Sequence, residues 1–223
     1  MENFVFLEIT RWIVHLLILA CILIAILRFR TLQFEQKIVF YLLSITLPVE
    51  LVSVWLWKVH INNNFIFHFY TVAEFLLLAI IYRKHLNTLI KSVHVLAVMI
   101  AFVLFAVINT VFFQSLKQFN SHTIFVECIL LIVLAILYFY KELRDLENRH
   151  LERVPMFWIN ASVITYFSGS LVLFYVANDL ISESMKTKGV IWGTHALFNI
   201  VHYVLYAIAL LIRNQEKTSA LKS

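Results

Sequence analysis

A chain of 223 residues that is 62% hydrophobic and only 14% charged is not an ordinary soluble domain, in which about half of the residues are apolar and about a quarter charged. Its formal net charge of +5 comes from lysines and arginines set between apolar runs, so the basic excess reports membrane topology and supports no nucleic-acid partner. The two cysteines, Cys21 and Cys128, lie inside apolar runs without a Cys-x-x-Cys spacing and read as small apolar filler.

Apolar runs of about 20 residues, long enough to cross a ~30 Å hydrocarbon core as helix, recur at about 12–27, 38–57, 65–82, 92–113, 123–140, 157–177 and 190–212. The expected fold is all-α and polytopic: a single seven-helix membrane domain over 1–223, in a cell membrane of the bacterial inner-membrane kind. The first run lacks the basic start, short apolar core and small-residue cleavage site of a signal peptide. Glu2 and Glu8 precede Arg11, and Arg28 and Arg30 follow the run, so it reads as a retained helix entering amino-end first.

In the second run, SITLPVELVS, Pro48 removes its own hydrogen bond to the Ser44 carbonyl and is expected to kink the helix, turning Glu50 into the bundle. Thr46, Glu50 and Ser53 share a face at i, i+4 and i+7. The third run carries His68, Thr71 and Glu74, the fourth Asn109 and the fifth Glu127. After it, YKELRDLENRHLERVP reads as helix five continuing into water, with Lys141 and Asp145 spaced for an ion pair. These charges read first as a solvated face; the alternative is that 141–153 forms a docking surface for a cytoplasmic protein partner.

Pro155 suits the first turn of helix six. Within that helix Ala161, Thr165 and Gly169 form a small face for close packing, and Gly189 and Gly193 repeat the spacing in helix seven. That last helix, GTHALFNIVHYVLYAIAL, sets His195, Asn199, His202 and Tyr206 within about 60° of one another, a polar stripe on an otherwise apolar helix. It has no lysine between 190 and 212, so it offers no amine for a retinal Schiff base.

Of the 18 basic residues, thirteen fall on one side of the expected membrane and five, Arg11, Lys58, Lys117, Lys186 and Lys188, on the other. The positive-inside rule therefore places the amino terminus outside and the carboxyl terminus in the cytoplasm. At 1.5 Å per residue, Glu127 and His68 lie about 5 Å below the outer surface, His195 and Glu50 about 7–10 Å, Glu74 and Asn199 about 13 Å and His202 about 18 Å. The cytoplasmic half holds only His94 and Asn160 near helix ends, so the polar interior is expected to open outward.

Intramembrane polar and ionisable groups face the bundle interior and often mark function. Interhelical pairing alone is one reading of them. A second is a ligand pocket formed by Glu50, His68, Glu74, Glu127, His195, Asn199 and His202, with Trp55, Trp57, Phe67, Tyr70, Tyr175 and Trp192 along its walls. That would make the chain a sensor or receptor-like protein for a small molecule or lipid arriving from the outer side. A third is zinc on His68 and His195, with Glu50 or Glu127 as ligand or general base of an intramembrane hydrolase. A transporter would use Glu50, Glu74 and Glu127 as proton or cation carriers.

Overall fold

The computed structural model describes the backbone of residues 2–145, 150–180 and 185–213, and the side chains of 6–145, 150–173 and 190–213. Seven α-helices account for nearly all of it: α1 (Glu2–Arg28), α2 (Phe34–Lys58), α3 (Asn64–His85), α4 (Ser92–Phe112), α5 (Ser121–Asp145), α6 (Pro155–Leu180) and α7 (Met185–Leu211). Short 3-10 turns, Phe29–Thr31 and Leu151–Arg153, precede α2 and α6. Each helix is long and apolar enough to span a membrane.

Most helices outrun the expected spans at one or both ends. The apolar run measures the stretch that lipid requires, whereas the backbone stays helical into the polar margin, where water satisfies its terminal groups. At the carboxyl-terminal end of α5 this continuation is held by Lys141, whose Nζ lies 3.5 Å from Asp145 Oδ2 and 3.8 Å from Glu142 Oε1. Residues 146–149 of the proposed docking surface, Tyr175, Lys186 and Lys188 as side chains, and the tail from 214 lie outside the described residues. Pro155 is the first residue of α6, as its missing N–H favours.

The helices form a ring. α1 packs on α2 and α7, α7 on α6, α6 on α5, and α5 on α3, which also packs on α2. α4 sits outside that ring, mainly against α3. α2 remains one continuous helix through Pro48, which is exposed on its outer surface. Two glycines allow close approach between neighbours. A Cβ on Gly169 of α6 would lie 2.4 Å from Phe198 Cε1 of α7, and one on Gly193 of α7 would lie 2.5 Å from Phe6 Cε1 of α1. Gly169 and Gly193 thus mark packing seams.

The expectation that polar groups avoid the half of the bundle opposite the pocket is not met. There Arg28 Nη1 donates to the Leu210 carbonyl at 2.8 Å. Gln36 Nε2 donates to the carbonyls of Ala209 at 2.7 Å and Ile212 at 3.1 Å. Buried Glu35 faces His85 Nε2 at 3.3 Å and Lys84 Nζ at 3.7 Å. Tyr82 donates to Asn160 Oδ1 at 2.8 Å, and Asn160 Nδ2 donates to the Ala135 carbonyl at 3.1 Å. These partners lie at helix ends or carry aromatic rings, so apolar runs hide them from a sequence reading.

Candidate functional site

The polar residues singled out in the sequence divide into three groups. The first closes the end of the bundle where α3, α4 and α5 meet. His68 Nε2 donates to the Gln118 carbonyl at 3.1 Å, which leaves Nδ1 to accept from Thr110 Oγ1 at 3.0 Å. Asn109 Nδ2 reaches Gln114 Oε1 at 3.0 Å and Thr123 Oγ1 at 3.1 Å. Asn120 Nδ2 reaches Thr71 Oγ1 at 3.0 Å. Both nitrogens of His68 are therefore committed to a structural cap.

The second group joins α6 to α7. Ser162 Oγ lies 2.8 Å from His202 Nδ1 and donates to the His202 carbonyl at 2.9 Å. A hydroxyl has one hydrogen, so Nδ1–H of His202 must be the donor in the shorter contact. Farther along the seam, Asn199 Nδ2 donates to His195 Nδ1 at 3.2 Å and to the His195 carbonyl at 3.2 Å. With Nδ1 accepting, His195 Nε2–H points to the Tyr166 oxygen at 3.3 Å, and the Tyr166 hydrogen is left to donate elsewhere. The His202 ring packs 4.6 Å from Tyr166 and 4.2 Å from Tyr206, centroid to centroid.

The third group occupies the centre. Tyr70 donates to Glu74 Oε1 at 3.0 Å, and Thr46 Oγ1 lies 3.0 Å from the Tyr70 oxygen. Glu74 lies within electrostatic reach of Glu50 on α2, and Glu127 on α5 within reach of Glu74. Tyr166 senses both Glu74 and Glu127. Tyr203 on α7 senses Glu50 and Glu74, and Tyr206 senses Glu74. Arg11 on α1 faces Glu50 and lies 5.7 Å from the Trp57 ring centroid. Among the described residues it is the one cation that acts on any of the three carboxyl groups, and it acts on Glu50 alone.

This centre is not fully satisfied. Glu127 Oε1 and the Tyr206 hydroxyl are buried without a hydrogen-bond partner among the described residues, on side chains 2% and 0% exposed. Glu50, Tyr70, Tyr166, His195 and Asn199 are only half-buried, although their contacts turn them toward other helices.

The aromatic wall expected from the sequence needs correction. Trp55 and Trp57 are more than half exposed, as interfacial belt residues are, whereas Trp192 sets its ring edge-on to His195 at 6.0 Å, and Tyr175 lies outside the described side chains. The aromatic residues at the centre are Tyr70, Tyr166, Tyr203 and Tyr206. Tyr166 was legible in principle, because Ser162, Tyr166 and Ser170 recur every fourth residue on one face of α6. His15, buried on α1 with Nδ1 on the Arg11 carbonyl at 2.8 Å, had no comparable stripe to reveal it. Among the described residues, no three His, Cys, Asp or Glu side chains come close enough to share a metal ion, so His68, His195, Glu50 and Glu127 do not form a zinc centre.

The helices and their composition define a multi-pass integral membrane protein. No family model, curated protein or solved structure matches the chain.

Proposed function

We propose that the chain is a receptor-like membrane protein that binds a small molecule or lipid at the acid and tyrosine centre of the helix ring. Its amino terminus faces outward and its carboxyl terminus the cytoplasm, in keeping with the distribution of thirteen and five basic residues. The observation carrying this reading is a group of inward-directed side chains from α2, α3, α6 and α7 that keep accessible surface beside two buried polar atoms without partners among the described residues. Interhelical pairing would have consumed such groups, since an unanswered buried polar atom costs about 1–3 kcal/mol.

Glu50, Glu74 and Glu127 bind the ligand, with His195 and Asn199 along one wall. His202 stiffens the floor and His68 closes the neighbouring end. The outer half gives the ligand access. Residues 141–153 engage a cytoplasmic partner, as a receptor without its own signalling domain requires. One observation favours a second reading as transporter: three carboxyl groups on three helices stand within electrostatic reach of one another. Such a chain would carry a proton or cation inward.

The test is a panel of small amines, small carboxylates and single-chain lipids against the purified protein. We expect at least one to raise the unfolding midpoint saturably without being consumed. Glu50→Gln and Tyr166→Phe should each weaken that response by about tenfold, the worth of one lost charge-assisted hydrogen bond. A flat response to every compound, or one indifferent to both substitutions, overturns the binding reading. Counterflow from proteoliposomes would make the protein a transporter.

A further inference from the structure

Outside the pairing networks, three places in the fold have the chemistry or the space to meet a partner. The lipid-facing hollow between α3 and α4, lined by Leu76, Leu96, Met99, Ile100, Val103 and Leu104, is wholly apolar, and nothing indicates an occupant. The Glu35, His85 and Lys84 cluster is internally satisfied. The margin where α1 and α7 end and α2 begins differs from both. Arg28, Arg30, Lys37 and Arg213 gather there, and none of them forms an ion pair among the described residues.

We propose that this margin binds the phosphate of an anionic phospholipid, with Arg28 and Arg213 as its principal ligands and Arg30 and Lys37 beside them. Gln36 sets the geometry. Its Nε2 donates to the carbonyls of Ala209 and Ile212 while its Oε1 accepts from the Gln33 N–H at 2.7 Å, so the end of α7 is fixed to the first turn of α2. Arg28 Nη1 holds the Leu210 carbonyl at 2.8 Å, three residues before Arg213, and the two guanidinium groups act on each other. Arg28 uses only part of its donor fork, for its Nε is buried without a partner among the described residues. Lys37 Nζ stands 5.5 Å from the ring centroid of Phe29, the residue after Arg28. Arg30 and Arg213 are exposed.

A guanidinium stays charged even when half-buried, so these groups need an anion. The ends of α1 and α7 together offer about one negative charge and the start of α2 takes about half of it back, too little for four cations. Glu35, the acidic residue in the first turn of α2, already serves Lys84 and His85 on α3. A phosphodiester meets a guanidinium through two parallel hydrogen bonds, and basic pockets between transmembrane helices bind phosphate head groups in this way. The flanks select a lipid over a free anion. Leu27, next to Arg28, is 84% exposed, and Leu211, two residues before Arg213, is 55% exposed. Both helices therefore carry exposed apolar side chains up to the charged margin, where acyl chains would lie.

The experiment uses the full chain, delipidated in dodecyl maltoside, with dioctanoyl phosphatidylglycerol as probe. Dioctanoyl phosphatidylcholine is the zwitterionic control, and sodium phosphate at equal ionic strength is the free anion. One readout is the unfolding midpoint across each titration. The other is the lipid retained by the unmodified protein in native mass spectrometry, which requires no variant to fold. We expect phosphatidylglycerol alone to be retained and to raise the midpoint saturably. A basic residue near a membrane surface is worth about a fivefold change in binding to anionic lipid, so Arg213→Gln should raise the half-saturating concentration about fivefold and Arg28→Gln at least as much. Lys91→Gln removes the same charge from the exposed connection between α3 and α4 and should leave that concentration unchanged. An equal loss with Lys91→Gln means diffuse attraction to the whole basic margin, and an equal response to phosphatidylcholine means apolar contact alone. Either result, or indifference to Arg213→Gln, overturns the proposal. A rise matched by sodium phosphate overturns the lipid assignment, and the absence of both retention and a rise overturns the site.

Discussion

Ser162 shows how much a single hydroxyl carries where water is absent. Its oxygen accepts from His202 Nδ1–H and donates to the His202 carbonyl, so it answers two buried groups on α7 and fixes the imidazole tautomer. Ser162→Ala leaves the ring donor only its longer contact to the carbonyl of residue 162, 3.4 Å away, and the expected cost is about 1 kcal/mol. Reversible unfolding in mixed detergent micelles measures it. His60 makes the opposite case. It follows α2 with φ 59°, in the left-handed region that a side chain enters at a cost of about 1–2 kcal/mol. His60→Gly should therefore raise the unfolding midpoint, and a fall would mean that the imidazole itself holds the turn.

Helix contacts depend on what is missing as much as on what is present. The Phe198 ring occupies the place of a Gly169 side chain, so Gly169→Val forces the ring aside and should cost about 1–3 kcal/mol through overpacking. Pairing it with Phe198→Ala returns space to the seam, and the double variant should be more stable than the sum of the single losses implies. Strict additivity would show that the two residues do not meet. Existence and order of the helices were legible because lipid imposes a length on apolar runs. Gly169 and Gly193 were legible as close-packing positions too. The partner filling each glycine notch was not, since Phe198 and Phe6 look like any other lipid-facing phenylalanine.

At the scale of the whole molecule, the proposed orientation makes a direct prediction. Single cysteines at Lys117 and Glu152, both exposed in connections between helices, should respond oppositely to an impermeant thiol reagent on intact cells: Lys117→Cys is labelled and Glu152→Cys is protected. The reverse pattern inverts the topology. The central acids could be read from sequence because an ionisable residue in an apolar run must face inward. Their tyrosine companions could not, because tyrosine near a span end is equally expected at the lipid headgroups. The separation of His68 from His195 was likewise illegible, for depth gives height along the bundle but no bearing around it.

The ring closes where α1 and the start of α2 meet α7, through Arg28 on the Leu210 carbonyl and Gln36 on those of Ala209 and Ile212. Synthesis delivers these partners in the least convenient order, the first helix waiting in the bilayer until the last is inserted. A nascent chain halted after α6 thus leaves Arg28 and Gln36 without their α7 carbonyls and the inner flank of α1 bare. Closure of the ring, rather than the packing of its earlier helices, is therefore the terminal event of assembly, and an arrested chain is marked by the α7 contacts it has yet to make.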